Sequence, residues 1–101
     1  MSRTQRTYFV YIISNAGRSV LYIGMTNDLH RRMREHKDGA VEGFSKQYRA
    51  GDLLWFDSFS DVNEAIAREK QIKNWHRDWK WNLVRESNPE LRDLTPELIH
   101  L

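Results

Sequence analysis

The stretch Tyr8-Phe9-Val10-Tyr11-Ile12-Ile13, answered across a turn by Val20-Leu21-Tyr22-Ile23-Gly24, decides the fold. Each run is short, aromatic and β-branched, and so predicts a buried strand. Ser14-Asn15-Ala16-Gly17-Arg18-Ser19 between them is turn chemistry, which predicts a β-hairpin with a loop slightly longer than the tightest types. The second strand is expected to end at Gly24. A helix follows, with Thr26 or Asn27 as its cap, Asp28 at its positive end and Gly39 just beyond it. Residues 40–51 read as loop, and Leu53-Leu54-Trp55-Phe56 through Phe59 as a third strand. Asp61 with Glu64 three residues on resembles a capping box and opens a second helix. Asn74 tolerates a left-handed cap, so a break is expected at Asn74–Arg77, with a third helix to about Glu86. Ser87-Asn88-Pro89 stops it. Leu91, Leu94, Leu98, Ile99 and Leu101 of the tail are expected to pack back on the body. The order β-β-α-β-α-α predicts an α/β (α+β) fold: a small three-stranded, mostly antiparallel sheet flanked by helices.

The 101 residues suit a single domain over 1–101, with a core at about 7–86 and a tail at 87–101. Hydrophobic residues make up 40% and charged ones 30%, which argues against a disordered or fibrous chain. With no cysteine, a disulfide scaffold, a thiolate zinc site and cysteine catalysis are excluded. The apolar run Tyr8–Ile13 is far short of the ~20 residues that span a bilayer. A cytoplasmic protein without a membrane partner is expected. The net charge of +2 conceals an asymmetry. Residues 1–50 carry nine Lys/Arg against four Asp/Glu, and the window 67–85 carries six against two. Two basic segments with an acidic tail point to a polyanion-facing surface.

A helical wheel isolates polar residues in apolar places. In the first helix Leu29 and Met33 define the stripe. Arg32 and His36 share its side, while His30, Arg31 and Arg34 point elsewhere. In the second helix the stripe is Val62, Ala65, Ile66 and Ile72, and Glu69 sits in its middle. A carboxylate there is unfavourable unless paired or bound to a metal. If both helices pack on one sheet, Arg32, His36 and Glu69 approach each other, with Tyr11 and Tyr22 joining from the strands. Two readings stand on the residues alone: a structural Arg32–Glu69 ion pair with core tyrosines, or a functional site. His30 and His36 are six apart, which is not a helical metal-ligand spacing. No phosphate-cradling or dinucleotide glycine motif occurs. Trp75, Trp79 and Trp81 are interleaved with Lys73, Arg77 and Lys80. Aromatics among cations can stack on unpaired bases, but Trp75, Trp79 and Leu83 at i,i+4 spacing read as a core stripe, which leaves Trp81 as the expected exposed ring.

These residues meet a known pattern. Phe9-Val10-Tyr11, followed eleven residues after the tyrosine by Tyr22-Ile23-Gly24, resembles the paired signature of the GIY-YIG nucleases. Asp28-Leu29-His30-Arg31-Arg32-Met33-Arg34-Glu35-His36 resembles the family's next motif, and Ala67-Arg68-Glu69-Lys70-Gln71-Ile72-Lys73 the motif with its metal-binding glutamate. Ser45-Lys46-Gln47-Tyr48 and Asn88-Pro89-Glu90-Leu91-Arg92-Asp93-Leu94 are similar to the small stand-alone branch, itself similar to the N-terminal nuclease domain of the repair excinuclease.

The resemblance implies a divalent-metal-dependent endonuclease that hydrolyses DNA phosphodiester bonds, selects structure and serves repair or recombination. It implies Glu69 as ligand to Mg²⁺, with Mn²⁺ as substitute. Tyr11 becomes the general base or water-positioning group, assisted by Tyr22. Arg32 stabilises the charged transition state, and His36 takes a position that is His or Tyr in relatives. Arg31, Arg34, Lys46, Tyr48, Lys70 and Lys73 are the expected nucleic-acid contacts, with RNA left open as a partner beside DNA. Asn74 and Asn82 are the two candidates for an asparagine that some relatives use. The chain departs from the pattern in lacking the first motif's glycine and in carrying Met25 where the repair branch has a lysine. The alternative is a non-catalytic nucleic-acid-binding module that keeps the fold. A protein partner for targeting, and a monomer or a homodimer, are both compatible with the sequence.

Overall fold

The computed structural model describes residues 6–40 and 43–101. Residues 1–5 of the expected domain, and Val41 and Glu42 of the expected loop, lie outside the described residues. Strand β1 (Tyr8–Ser14) pairs antiparallel with β2 (Leu21–Thr26) on one side and β3 (Asp52–Phe59) on the other. The sheet order is therefore β2-β1-β3 and the sheet is wholly antiparallel. Every residue from Val10 to Ser14 is buried, because β1 is the central strand and both its faces are covered. The hairpin loop is built by Asn15, whose Oδ1 accepts from the Ser19 and Val20 N–H groups at 2.9 and 3.2 Å. Arg18 takes a left-handed φ of 54° there, held by bonds from its guanidinium to the Asn15 and Leu91 carbonyls and to Asp52.

Helix α1 (Leu29–Lys37) is capped by Asp28, which accepts from the Arg31 N–H at 3.0 Å. The expected caps lie too early. Thr26 closes the turn before the helix by accepting from the Asp28 N–H. Gly39 follows the helix with φ 71°, a conformation that suits glycine. The stretch expected as loop contains a one-turn helix, α2 (Phe44–Gln47). Helix α3 (Val62–Lys73) is capped by Asp61, and α4 (Arg77–Ser87) follows. The break falls at Asn74–His76, but Asn74 is right-handed (φ −88°), its N–H shared among the carbonyls of the last turn. A 3₁₀ turn covers Thr95–His100.

The core has two halves, one on each face of the sheet. Tyr11, Ile13, Leu29, Met33, Ala50, Leu53 and Leu98 form one, so α1 and the tail cover that face. Val10, Ile12, Ile23, Leu54, Trp55, Ala65, Ile72, Trp81 and Val84 form the other, under α3 and α4. Both α1 and α3 pack on the one sheet, as the approach of Arg32, His36 and Glu69 requires, but their apolar stripes meet opposite faces. Successive strand residues point to opposite faces, and the two helices take one set each. Val62, at the start of α3, is exposed rather than part of the buried stripe.

Near and on α4, Trp75 and Leu83 pack half-buried against the core as expected, but the expected places of Trp79 and Trp81 are exchanged. Trp81 is 8% exposed and buried with Val84, whereas Trp79 is 57% exposed. Both sets have helical spacing. Trp81 and Val84 are the pair that meets Leu54 and Trp55.

The tail packs through Leu94 and Leu98, while Ile99 and Leu101 stay exposed. Its larger role is to close the free edge of β3. The Leu94 N–H donates to the Leu53 carbonyl at 2.7 Å, and the Leu53 N–H donates to Asp93 Oδ1 at 2.9 Å. Burial pushes the Asp93 carboxyl up, but hydrogen bonds from Lys37, Thr95 and the Leu53 N–H outweigh it and hold the pKa below its ordinary value. Buried Asn88 donates to the carbonyls of Leu54 (3.1 Å) and Arg92 (2.8 Å) and accepts from the Arg92 N–H. Asn88→Ala strands these groups. It is expected to cost about 2–3 kcal/mol and to lower Tm by about 10 °C or more in thermal unfolding; an unchanged Tm would show the edge closed without it.

Candidate functional site

Tyr11 stands in the central strand, directly across the ladder from Gly24. Its ring lies over that glycine: a Cβ built at position 24 overlaps Tyr11 Oη and Cζ. Gly24 does not end β2 but makes room within it for the phenol. Tyr11 is 2% exposed, and its Oη lies 2.9 Å from His36 Nε2.

His36 comes from the last turn of α1, where the periodicity of Leu29 and Met33 turns it inward. It is edge-on to both tyrosines. The His36 and Tyr11 ring centroids are 5.6 Å apart at 65°, and those of His36 and Tyr22 are 5.6 Å apart at 62°. The imidazole is thus held between the two strands' phenols.

Electrostatics set the protonation of this cluster. Burial pushes the Tyr11 pKa up, and Tyr22, Glu69 and Glu35 add to that while Arg32 opposes it. Burial also lowers His36 to about 4, with the Arg32 charge adding to the shift and Glu35 opposing it. Near neutrality the pair is a phenol beside a neutral imidazole. The linkage has a definite sign. The unfolded chain binds a proton at His36 below its ordinary 6.5, while the folded chain resists until about 4. The contribution is full above pH 6.5 and lost as pH falls toward 4, amounting to about 3 kcal/mol. Urea unfolding at pH 7.5 and 5 is expected to show part of this fall in the wild type and much less of it in His36→Asn. Equal falls in both proteins would assign the effect elsewhere.

Arg32 is one turn before His36 and half-buried. Its Nε is buried with no hydrogen-bond partner, and the Glu35 carboxylate is 3.7 Å away. Such a nitrogen is satisfied by an anion arriving in the site.

Glu69 belongs to α3 on the other side of the sheet, its side chain 20% exposed and 3.2 Å from Lys73 Nζ. Its charge still acts on the Tyr11 phenol. The Arg32–Glu69 ion pair is not formed: Arg32 is nearest Glu35 and Glu69 pairs with Lys73.

Among the described residues no three of His, Cys, Asp and Glu converge on a metal position. A lone carboxylate that is not fully buried fits a hard cation that takes its remaining ligands from water and substrate oxygens. The Arg32 Nε, buried without a hydrogen-bond acceptor, fits the anion such a cation would share.

The six cations and aromatics expected at nucleic acid, Arg31, Arg34, Lys46, Tyr48, Lys70 and Lys73, are all exposed. They do not form one patch. Arg31 and Arg34 are on the outer side of α1, and Lys70 and Lys73 are on α3. Lys46 lines a groove of about 480 Å³ beside His36, Lys37, Arg49 and Asp52. Arg49 escaped the sequence reading because it lies in no motif, and only the run of cations in residues 1–50 hinted at it. Asn74 and Asn82 are both exposed, and Asn82 lies beside Trp75 and Trp79.

Comparison with known proteins adds three findings. The model of the GIY-YIG catalytic domain matches residues 7–82. A UPF0213 protein of Haloquadratum walsbyi is 34% identical over 79 residues, covering 78% of this chain and 88% of that protein, and the UPF0213 protein YazA of Bacillus subtilis is 34% identical, covering 78% and 79%. The solution structure of a UPF0213 protein from Bacillus halodurans aligns with a TM-score of 0.49 at 27% identity, covering 77% of this chain and 82% of that one.

Proposed function

The chain belongs to the GIY-YIG catalytic-domain family, and from that premise we propose that it is a divalent-metal-dependent endonuclease hydrolysing DNA phosphodiester bonds. The observation that carries the reading is the buried Arg32 Nε, which has an ion-pair neighbour in Glu35 but no hydrogen-bond acceptor, one helical turn from the Tyr11–His36 hydrogen bond. A guanidinium with unused donors, beside a phenol and a neutral imidazole, is suited to a phosphate oxygen and an attacking water. Arg32 binds the phosphate and stabilises the charge that grows on it. Tyr11 Oη orients the water. His36 Nε2, 2.9 Å from Oη, orients the phenol, and Tyr11 in its deprotonated form takes the proton from the water. Tyr22 packs against His36 and holds the ring. Glu69 is the residue that would hold Mg²⁺ or Mn²⁺, and the cation when bound polarises the phosphoryl oxygen. The raised Tyr11 pKa gives a rate that rises with pH until the phenol is released.

Arg31, Arg34, Lys46, Tyr48, Lys70 and Lys73 hold the strands electrostatically, which makes selection depend on nucleic-acid structure more than on sequence. In this reading 1–101 is one domain, with its core at 7–86, in a cytoplasmic repair or recombination role, as monomer or homodimer, with a partner for targeting. No helix among the described residues is long and apolar enough to cross a membrane.

The test is a labelled panel (duplex, single strand, nick, flap, four-way junction, and an RNA duplex) incubated with Mg²⁺, with Mn²⁺ and with excess chelator. Metal-dependent cutting is expected; cutting that persists in chelator overturns the reading. One observation favours a second reading, a binding module without turnover. Met25, at the lysine position of the repair branch, packs on the α3 face of the core and supplies no cation. That reading predicts binding that weakens steeply with salt and no cleavage of any panel member.

A further inference from the structure

The reversal of the tryptophans on α4 leaves an aromatic surface that the catalytic reading does not use. Trp79 is 57% exposed. Its ring meets that of Trp75 at 6.0 Å and 73°, and the two form one wall of a shallow cleft of about 180 Å³. Asn82 and Glu86 close its polar side. Trp75 is backed by the Arg68 guanidinium, 5.3 Å from the ring centroid. The surrounding segment 67–85 carries six cations against Glu69 and Asp78. Arg68 and Glu69 are successive residues that lean to opposite flanks of the buried pair Ala65 and Ile72.

We propose that the Trp75–Trp79 cleft binds an unpaired base of a single-stranded nucleic acid, and so sets the enzyme's preference for substrates with an open strand. A large ring left in water beside an indole backed by the Arg68 guanidinium suits a ligand that is flat, apolar on its faces and anionic along its length. Asn82 offers a donor and an acceptor, and Glu86 an acceptor for base N–H groups, neither of which suits a phosphate alone. The proposal rests on the nucleic-acid reading above but not on turnover.

The experiment measures binding in chelator, where cleavage is off, by anisotropy of a labelled 20-nucleotide single strand, a blunt duplex and an abasic strand of equal length. Wild type, Trp79→Ala and Trp79→Phe are compared. Trp79→Ala is expected to weaken the single strand about 5- to 100-fold, with duplex and abasic binding within two-fold and the salt slope unchanged. Trp79→Phe is expected to keep most of the affinity. Single-strand binding unchanged in Trp79→Ala, with the wild type still cutting the panel, overturns the cleft alone. An equal loss on all three ligands also overturns it, because it makes Trp79 structural. Failure of the wild type to bind any strand removes the nucleic-acid reading as well.

Discussion

Glu69→Ala is expected to lose metal-dependent cleavage by at least about 1000-fold while the fold survives. The size follows from the several kcal/mol of transition-state charge that a bound cation offsets, each ~1.4 kcal/mol being a factor of ten. The survival follows from the geometry. Glu69 is 20% exposed and its partner is Lys73, an i,i+4 pair on a helix surface. Such pairs contribute about 0–1 kcal/mol, so Tm moves little. Removal of Glu69 strands no buried cation, since Arg32 pairs with Glu35 instead. Glu69→Gln keeps the shape and removes the charge, and is expected to behave the same way. Cleavage by Glu69→Ala at the wild-type rate would take Glu69 out of the chemistry. A loss of several kcal/mol of stability would make it a structural carboxylate.

The second large effect is expected at Gly24. In Gly24→Ala the new methyl overlaps Tyr11 Oη and Cζ. Neither partner can step aside. The ladder fixes Tyr11 opposite Gly24, and the phenol is enclosed by core residues Leu29, Met33 and Leu53. Overpacking of this kind costs about 1–3 kcal/mol or more. Displacement of the ring also breaks the bond to His36, so cleavage is expected to fall by ~100-fold or more, as for loss of an acid–base group. A double-mutant cycle isolates the cause. Tyr11→Leu shortens the side chain, so Gly24→Ala is expected to destabilise that background by about 1 kcal/mol less than the wild type. Additive losses would place the role of Gly24 in the backbone rather than under the ring.

Local chain chemistry is enough to read much of this molecule. Two β-branched aromatic runs across Asn15 and Arg18 make the hairpin, because neighbours in sequence close it. Three helices emerge from their apolar spacing, two of them with carboxylate caps at or next to the expected residues. The inward turn of His36 and Arg32 follows from their spacing to Leu29 and Met33, which needs no partner to be known.

Other features depend on contacts between distant segments. The face of the sheet that each helix covers is set by which alternate strand residues it meets, and Glu69 pairs with Lys73 rather than with Arg32. Trp81 and Trp79 have equal claims on periodicity. The choice falls to Leu54 and Trp55, which lie more than twenty residues earlier. Asn88 and Asp93 read only as a helix stop and a polar tail until β3 offers them Leu53 and Leu54. Gly24 reads as a strand end until the register sets it opposite Tyr11. Periodicity ranks the faces of one element, but burial is a property of pairs of elements, and only the folded chain brings both members of a pair together.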